Sequence, residues 1–257
     1  MNKRGASHSE LVLSTIQSSQ AAVSSVAASW CRSALHYGLD PDGAHRADRL
    51  ELARLAHLRE ANGELLAAAT PALDSLFGSV GQAGCCVIIS DLDGVVLEAR
   101  SNDADTRLFD TIGLTAGASW SESNEGTNGI GTCLAEARAV TIMRQEHFAS
   151  RNVGVSCMDA PIFDPDGNLV AALDVSSARD DHGPAMVSLI GALVQDAART
   201  IERDFFCRRF SGARLVYAGG GSDGTVDRAS RGRPRRPCYR CDARGAPPVR
   251  SWPSGTA

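Results

Sequence analysis

The sequence predicts an α+β fold in which helices flank an antiparallel sheet and an N-terminal helical segment comes first. Over residues 8–78, apolar side chains recur at the three-to-four-residue spacing of amphipathic helices. From Cys85 onward the pattern changes to short runs of apolar and β-branched residues separated by turn residues. Strands that follow one another through tight turns, with helices before and after them, favour an antiparallel sheet packed against helices.

The N-terminal segment contains three helical patterns, which we predict to form helices at 8–37, 46–61 and 63–78. Gly38 is predicted to end the first of them, and Pro71 is predicted to break the third. Because each pattern is apolar on one face only, the helices must bury that face. They pack against one another, against the following domain or against a second copy of the chain.

The sheet is predicted from two hairpins and one further strand. The first hairpin joins strands at 85–91 and 95–100 through Asp93-Gly94, a dipeptide typical of tight hairpin turns. The other strands and a closing helix are predicted at 139–144, 155–164, 169–177 and 184–210.

Residues 119–132, SWSESNEGTNGIGT, are the most informative stretch of the chain. They lead into a helical pattern at 133–138, so we predict a loop that enters a helix N-terminus. Backbone N–H groups converge at such a place and polar ligands bind there. The three glycines allow positive φ angles and a tight entry, and Thr127 or Asn128 is then the N-cap. The stretch predicts a binding site without indicating a reaction.

Charge is distributed unevenly along the 257 residues, whose formal net charge is −4. From Arg228 to the end there are eight arginines against one acid, so the body is acidic and has no general basis for nucleic-acid affinity. No apolar run approaches the ~20 residues that cross a membrane, and the polar N-terminus lacks a secretory signal. The eight cysteines are therefore expected to be reduced thiols of a cytoplasmic protein.

The segment at 213–257 lacks a hydrophobic period, and five of the ten prolines of the chain follow Arg228. Such a segment cannot bury enough apolar surface to fold, and we predict that it is disordered. Because the change of character is abrupt, we also hypothesise that the reading frame is lost near 219–225. Resequencing of the locus tests this hypothesis.

Five stretches follow one another in a recognisable order: SWCRSALHYGLDP at 29–41, W-x-E-x-x-E-G-T-N-G-I-G-T at 120–132, EHF at 146–148, SCMDAPIFDPDGNL at 156–169 and ALDVSS at 172–177. Together they resemble the N-terminal sensory region of acetoin/glycerol-metabolism activators, enhancer-binding regulators that work with the nitrogen-type sigma factor. The resemblance covers roughly residues 25–212. It implies a GAF-like sheet domain at 80–212, preceded by a helical segment at 1–79 and followed by the tail at 213–257.

In the family that the chain resembles, an AAA+ ATPase and a Fis-type helix-turn-helix follow the sensory domain. The ATPase requires the Walker A pattern G-x-x-x-x-G-K-[ST], whose lysine contacts phosphate groups. The only lysine of this chain is Lys3. We therefore expect a sensor that is truncated before the ATPase and DNA-binding domains.

Seven residues are candidates for contact with a ligand: Trp120, Glu122, Thr127, Asn128, His147, Cys157 and Asp174. Each has a structural alternative. Trp120 either stacks on a ligand or packs in the core. Glu122 either contacts a ligand or complements the helix dipole. Thr127 and Asn128 are N-cap candidates, and capping is compatible with ligand binding at the same place.

His147 follows a predicted strand, and its near-neutral pKa makes it either a ligand donor and pH switch or a structural histidine. Cys157 lies in mid-strand and is either a buried small residue, a ligand contact or a redox-sensitive thiol. Asp174 is the one carboxylate of the apolar strand ALDVSS. A buried acid requires a partner, inside the domain or on a ligand.

No metal, cofactor or catalytic site is predicted. Cys238 and Cys241 form a single C-x-x-C pair, whereas structural zinc takes four ligands. Ser156, His147 and Asp174 have the residue types of a catalytic triad, but nothing in the sequence places them together.

The predicted function is the sensing of a small polar metabolite, which the resemblance implies to be acetoin or a glycerol-derived compound. The effector is expected in a pocket between the sheet and the loop at 119–132, and flanking helices transmit its binding, most simply through a homodimer. No membrane and no specific nucleic-acid partner is expected. Two alternatives stay open: a non-catalytic dimerisation or interaction module with a vestigial pocket, and a small enzyme of the same fold with His147 as general base.

Overall fold

The computed structural model describes residues 7–18, 24–43, 49–217 and 238–241. Within these ranges, helices and a five-stranded antiparallel sheet follow one another in the predicted order, which confirms the α+β class. None of the helices in these ranges is both long enough and apolar enough to cross a membrane.

Two short helices occupy the first predicted helical region. α1 spans His8–Ile16 and α2 spans Ser25–Cys31, and a wide helical turn at Arg32–His36 continues α2. The prediction of one continuous helix is wrong because serine side chains cap two separate helix starts. The side chains of Ser7 and Ser24 each accept a hydrogen bond from a backbone N–H in the first turn of the helix that follows.

The next two helices lie close to their predicted positions. α3 spans Leu52–Ala61, which is a later start than predicted because Glu51 is extended. α4 spans Gly63–Val80 and passes through Pro71, which was predicted to break it. Pro71 is exposed, so the carbonyl that loses its N–H partner lies on the solvent side of the helix. The opposite face buries eight side chains, and this packing outweighs the lost hydrogen bond.

The predicted strands form one antiparallel sheet with five members: β1 Cys85–Ser90, β2 Val96–Arg100, β3 Val140–Met143, β4 Ser156–Phe163 and β5 Leu169–Ser177. Their order across the sheet is β2-β1-β5-β4-β3. Both predicted hairpins are confirmed, β1 with β2 and β4 with β5. Gly94 in the first turn has φ +77°, a conformation that other residues rarely adopt.

α4 and the last helix pack on one face of the sheet. The last helix, α8, spans Pro184–Arg209 and confirms the helix predicted near 184–210. Its Ile190 belongs to the same buried cluster as Leu73 of α4 and Leu173 of β5. Close packing of this helix layer gives the sheet a rigid backing on this side.

The opposite face of the sheet carries α5, at Asp103–Ile112, and α7, at Gly129–Glu136. The sequence analysis did not predict α5, although its Leu108, Phe109 and Ile112 stand at helical spacing. Phe109 packs in one cluster with Ile88 of β1 and Ile130 of α7. The buried polar residues of the candidate site lie on this face.

The segment after α8 contains a second, two-stranded sheet. β6 at Arg214–Tyr217 pairs antiparallel with β7 at Cys238–Cys241. This pairing corrects the prediction of disorder for these residues. The rest of that segment, including 219–225, lies outside the described residues. Its disorder, the loss of the reading frame and the domain boundaries stay predictions.

Candidate functional site

The stretch at 119–132 forms the predicted loop and helix start. A single helical turn, α6 at Glu122–Glu125, leads through Gly126 into α7. The Asn128 Oδ1 accepts the Gly131 N–H at 2.8 Å, and its Nδ2 donates to the Gly126 carbonyl at 2.8 Å. The predicted N-cap is therefore confirmed at Asn128.

The three glycines of this stretch are needed for close contacts as well as for backbone shape. Gly126 has φ +68° and lies against the Phe148 side chain. A Cβ on Gly129 would lie 2.1 Å from Asp159 Oδ2, and a Cβ on Gly131 would lie 2.6 Å from a carbonyl of the preceding loop. The loop and the start of α7 therefore rest directly on buried groups and leave no room for a side chain.

Glu122 is the centre of a buried group that we call the Glu122 cluster, formed with Ser29, Arg32, Thr127 and Thr132. The Arg32 guanidinium donates to both Glu122 oxygens, at 2.7 Å and 2.8 Å. The Ser29 hydroxyl donates to Glu122 Oε1, and the Thr132 hydroxyl donates to the same oxygen at 3.1 Å. Thr127 Oγ1 lies 2.6 Å from Ser29 Oγ. The Glu122 carboxylate is thus paired within the protein.

The Glu122 cluster joins the N-terminal helices to the sheet domain. Ser29 lies on α2 and Arg32 on the wide turn after it, whereas Glu122 and Thr127 belong to the loop. Neither Ser29 nor Arg32 was a candidate residue, although both lie in the stretch SWCRSALHYGLDP that carried part of the resemblance. Removing one member of a buried ion pair is costly, so these contacts hold α2 in place.

Trp120 occupies a core position. Its side chain is buried in the cluster that contains Phe109 and Ile130. Its Nε1–H donates to the Gly113 carbonyl at 2.8 Å, which uses its one hydrogen-bond donor. This position agrees with the packing alternative for Trp120.

A second buried polar group, which we call the Asp159 cluster, crosses β4 and β5. Asp159 and Asp174 lie opposite each other in the strand register. The Ser176 hydroxyl donates to Asp174 at 2.8 Å and lies 3.1 Å from Cys157 Sγ. Cys157 Sγ in turn lies 3.5 Å from His147 Nε2. The structure thus brings three of the candidate residues together, His147, Cys157 and Asp174.

Asp159 is the member of this cluster that the sequence reasoning missed. It is the one carboxylate within the strand SCMDAPIF, so the argument made for Asp174 on β5 applies equally to β4. Its side chain is 2% exposed, and neither oxygen accepts a hydrogen bond from a donor among the described residues. A buried carboxyl without a donor is costly, so Asp159 is a candidate for contact with a ligand.

The pKa values of Asp159 and Asp174 are both raised. Burial, and after it the charge of Asp174, raises the pKa of Asp159 well above its usual range. Burial also raises the pKa of Asp174, to about 7. Two carboxyls this close do not both ionise, because like charges repel strongly at low dielectric. Since the Ser176 hydroxyl stabilises the charge on Asp174, Asp174 ionises before Asp159.

His147 is neutral at physiological pH, contrary to its interpretation as a pH switch. Complete burial lowers the pKa of its ring to about 4. Its Nδ1 lies 3.1 Å from the Arg144 carbonyl, which places the ring proton on Nδ1 and leaves Nε2 facing Cys157. Burial raises the pKa of the Cys157 thiol, so this sulfur is not a reactive thiolate at neutral pH.

The residue types of a catalytic triad do not meet. Ser156 and Cys157 are neighbours on β4 and point to opposite faces of the sheet. The side chain beside His147 is therefore the Cys157 thiol and not the Ser156 hydroxyl. In the part of the chain that the structure describes, no group of three or more His, Cys, Asp or Glu side chains could hold a metal ion.

Glu125 ties the other end of α6 to a neighbouring loop. The Arg151 guanidinium donates to Glu125 Oε2 at 2.6 Å, and the Asn152 amide donates to the same oxygen at 3.1 Å. Glu122 and Glu125 thus anchor the loop on two sides, and both are fully or nearly fully buried.

A cleft of about 140 Å³ opens at the edge of the sheet, beside β3. Residues of α2, α7, β3, β4 and α8 line it, among them Ser25, Thr132, Thr141, Asp159 and Gln195. The cleft therefore touches the N-terminal helices, the loop–helix and the Asp159 cluster at once.

A family model described as the N-terminal domain of MimR matches residues 4–201. The acetoin catabolism regulatory protein of Cupriavidus necator is 37% identical over 193 residues, which cover 70% of this chain and 28% of that protein. The propane 2-monooxygenase operon transcriptional activator MimR of Mycolicibacterium smegmatis is 29% identical over 192 residues, which cover 72% and 31%. The acetoin dehydrogenase operon transcriptional activator AcoR of Bacillus subtilis is 30% identical over 136 residues, which cover 53% and 22%. The chain thus spans less than a third of these relatives.

Among solved structures, the crystal structure of the E. coli DhaR(N)–DhaL complex has a similar fold, with a TM-score of 0.64. The match is 16% identical and covers 73% of this chain and 64% of that chain. At this identity the similarity concerns the fold alone. It agrees with the α+β arrangement of helices and sheet described above.

The family match includes the N-terminal helices, the sheet and most of α8. The named relatives are regulators of transcription, and their matching region is regulatory and not catalytic. The resemblance to the N-terminal region of such activators, inferred from five sequence stretches, is confirmed. The chain belongs to the family of the MimR N-terminal domain, a regulatory domain of transcriptional activators.

Proposed function

We propose that this domain senses a small polar metabolite by a GAF-type mechanism and passes the signal to the remainder of a transcriptional activator. The observation that carries the proposal is the position of the cleft, which α2, α7 and the sheet edge line together. A molecule bound there contacts the N-terminal helices and the sheet at the same time. Its affinity then depends on how the N-terminal helices pack on the sheet. A ligand whose affinity differs between two arrangements shifts the equilibrium between them.

The contacts of α2 support a route for this signal. Ser25 lines the cleft, and Ser29, one helical turn later on the same face, belongs to the Glu122 cluster. A ligand that moves the start of α2 therefore changes the contact between Ser29 and the loop. Couplings between two sites in proteins are typically about 1–3 kcal/mol, which a few such hydrogen bonds supply.

The names of the relatives suggest the first effector to test. Two of the three are named for acetoin catabolism or an acetoin dehydrogenase operon. Acetoin is small, neutral and able to donate and accept hydrogen bonds, which suits a cleft of about 140 Å³ with a polar rim. Glycerol-derived compounds belong to the same class.

The sensor is proposed to work as a cytoplasmic homodimer without specific nucleic-acid contacts of its own. α8 leaves Met186 and Leu189 on one face, 42% and 56% exposed, where a second copy could pack. ATP hydrolysis, contact with a sigma factor and DNA binding are proposed for other domains of such activators, and the chain is proposed to be truncated before them.

Thermal unfolding of the 257-residue chain tests the sensing proposal. Acetoin, glycerol-type polyols and small organic acids are added in turn, and calorimetry gives the dissociation constant of any that raises the Tm. A ligand at 100 times its Kd stabilises the folded state by about 2.7 kcal/mol. A saturable rise in Tm supports sensing, whereas no rise with any compound contradicts it.

A protein-interaction module is the second candidate function. It is favoured by the solved neighbour of similar fold, in which DhaR(N) forms a complex with DhaL. Analytical ultracentrifugation separates the candidates. A module that only associates forms the same assembly with and without small molecules, whereas a sensor changes its association or its stability when the effector is added.

A further inference from the structure

We propose that the Asp159 carboxyl, which lines the cleft beside β3, recognises a hydroxyl group of the ligand. The inference rests on the proposed function, because it names the residue and the ligand group that the sensing site uses. It concerns a residue whose buried oxygens lack a donor among the described residues.

Asp159 is a buried acceptor that has no donor among the described residues. Its side chain reaches the cleft although only 2% of it is exposed. Gly129 lies against Oδ2 so closely that a Cβ there would come within 2.1 Å, which limits movement of the carboxyl. A ligand hydroxyl that enters the cleft and donates to Asp159 removes the cost of an unpaired buried oxygen.

Asp174 determines which ligand group fits. Asp174 faces Asp159 in the strand register and accepts the Ser176 hydroxyl, whereas neither Asp159 oxygen has a donor among the described residues, so Asp159 is the acceptor that the ligand meets. A ligand carboxylate or phosphate is disfavoured, because the charge on Asp174 repels it. A neutral hydroxyl donates to Asp159 without burying another charge.

The dimensions and lining of the cleft define the rest of the ligand. An apolar cavity of about 150 Å³ holds a molecule the size of benzene, so a cleft of about 140 Å³ suits about six non-hydrogen atoms. Val26, Ala139 and Ile142 offer apolar contacts, while Ser25 and Gln195 bring polar groups. Four-carbon alcohols and hydroxyketones combine both features.

Three probes with the same six-atom frame test the need for a hydroxyl donor. Butane-2,3-diol has two hydroxyls, 3-hydroxybutan-2-one has one and butane-2,3-dione has none. Isothermal titration calorimetry on the 257-residue chain gives the Kd of each. We expect the diol and the hydroxyketone to bind about tenfold more tightly than the dione, the effect of one hydrogen bond to a buried acceptor.

Variants of Asp159 test the residue itself. Asp159→Leu keeps the branched shape and removes the acceptor, so we expect about a tenfold loss of affinity for the diol. Asp159→Asn keeps a carbonyl oxygen for the ligand and an N–H for Asp174, so we expect affinity within about threefold of the parent chain. Glu202→Gln is the matched control, since this half-buried carboxyl lies on α8 and accepts the Phe163 N–H at 3.0 Å.

The outcomes separate this inference from the proposed function. Circular dichroism checks that each variant is folded, and Asp159→Ala replaces Asp159→Leu if the leucine variant does not fold. Equal affinity for the diol and the dione, or unchanged affinity in a folded variant without the acceptor, overturns the role of Asp159 but leaves sensing intact. No binding of any of the three probes also overturns the inference. Sensing itself fails only if the wider set of polyols and acids gives no stabilisation either.

Discussion

At the scale of single residues, Gly129 shows why the loop at 119–132 needs glycine. A Cβ at this position would lie 2.1 Å from Asp159 Oδ2 and 2.5 Å from Cys157 Cβ. Real Cβ atoms do not approach so closely, so the start of α7 has to move away from β4 to accommodate one. Because Gly129 has no side chain, the loop can cover the Asp159 cluster.

We expect Gly129→Ala to destabilise the protein by roughly 1–3 kcal/mol, the usual cost of overpacking. Gly78→Ala is the control, because Gly78 lies inside α4 and a Cβ added there would meet no neighbouring atom within 4 Å. That change should stabilise the protein by about 0.5–1 kcal/mol, since alanine favours helix. Urea unfolding of both variants measures the difference. Equal stability of the two would contradict the contact.

The raised pKa values of Asp159 and Asp174 predict a pH dependence of stability. Both folded pKa values are raised above the unfolded ones, Asp174 to about 7, so the folded state binds more protons. The contribution to stability is therefore full below about pH 4 and is lost as the pH rises through about 7. Asp159→Asn mimics the protonated acid at every pH.

We accordingly expect Asp159→Asn to flatten the fall in stability between pH 4 and pH 8. Urea unfolding at a series of pH values measures this. Glu202, with a pKa raised to about 7 by burial, and His147, with a pKa lowered to about 4 by burial, titrate in both proteins. The difference between the two curves therefore reports the acid pair. Parallel curves would show that the protonation of Asp159 does not contribute to stability.

At the scale of elements, the docking of α2 depends on a buried ion pair. Glu122 is buried, whereas the Arg32 side chain is 32% exposed, so solvent weakens the attraction without removing it. The Ser29 hydroxyl adds a third contact from the same helix. The contacts of the Glu122 cluster connect the N-terminal helices to the loop.

We expect Glu122→Ala to cost about 1–3 kcal/mol and to loosen α2 before the sheet unfolds. Hydrogen exchange should then show faster exchange in α2 than in β4 and β5. Arg179→Ala, which removes an exposed pair with Asp181, is the control and should leave stability nearly unchanged. Unchanged protection of α2 in the Glu122 variant would mean that other contacts hold this helix.

At the scale of the whole molecule, β5 connects the two hydrophobic clusters. Leu173 points to the side of α4 and α8, and its neighbour Asp174 points to the side of α7. Because both clusters share the central strands, neither can lose its packing while the other keeps its own. The sheet and the helices packed in these two clusters therefore should unfold together.

Leu173→Ala tests this cooperativity. We expect a loss of roughly 2–5 kcal/mol from the cavity that the change leaves. Tryptophan fluorescence, to which Trp30 and Trp120 contribute, and far-UV circular dichroism should shift to the same new midpoint. Two separate transitions would show that the N-terminal helices and the sheet are independent units.

The order and type of most elements could be read from the sequence because burial leaves a local period. The hairpin of β1 and β2 and the helix α8 follow from spacing and turn residues alone. The same reasoning missed α5, a short helix in which only Phe109 is buried, and it broke α4 at Pro71, whose cost tertiary packing offsets. Asn128 as N-cap followed from local chemistry, since a cap contacts its own helix.

The sequence by itself determined the fold class, the loop at 119–132 and the family resemblance, because each depends on residues close together along the chain. Only the tertiary structure decided which polar groups meet. Ser29 reaches Glu122 across 93 residues, and Asp159 faces Asp174 through the register of two strands. A buried polar residue needs a partner. Which residue becomes that partner depends on strand register and helix docking, which arise from the packing of the whole core.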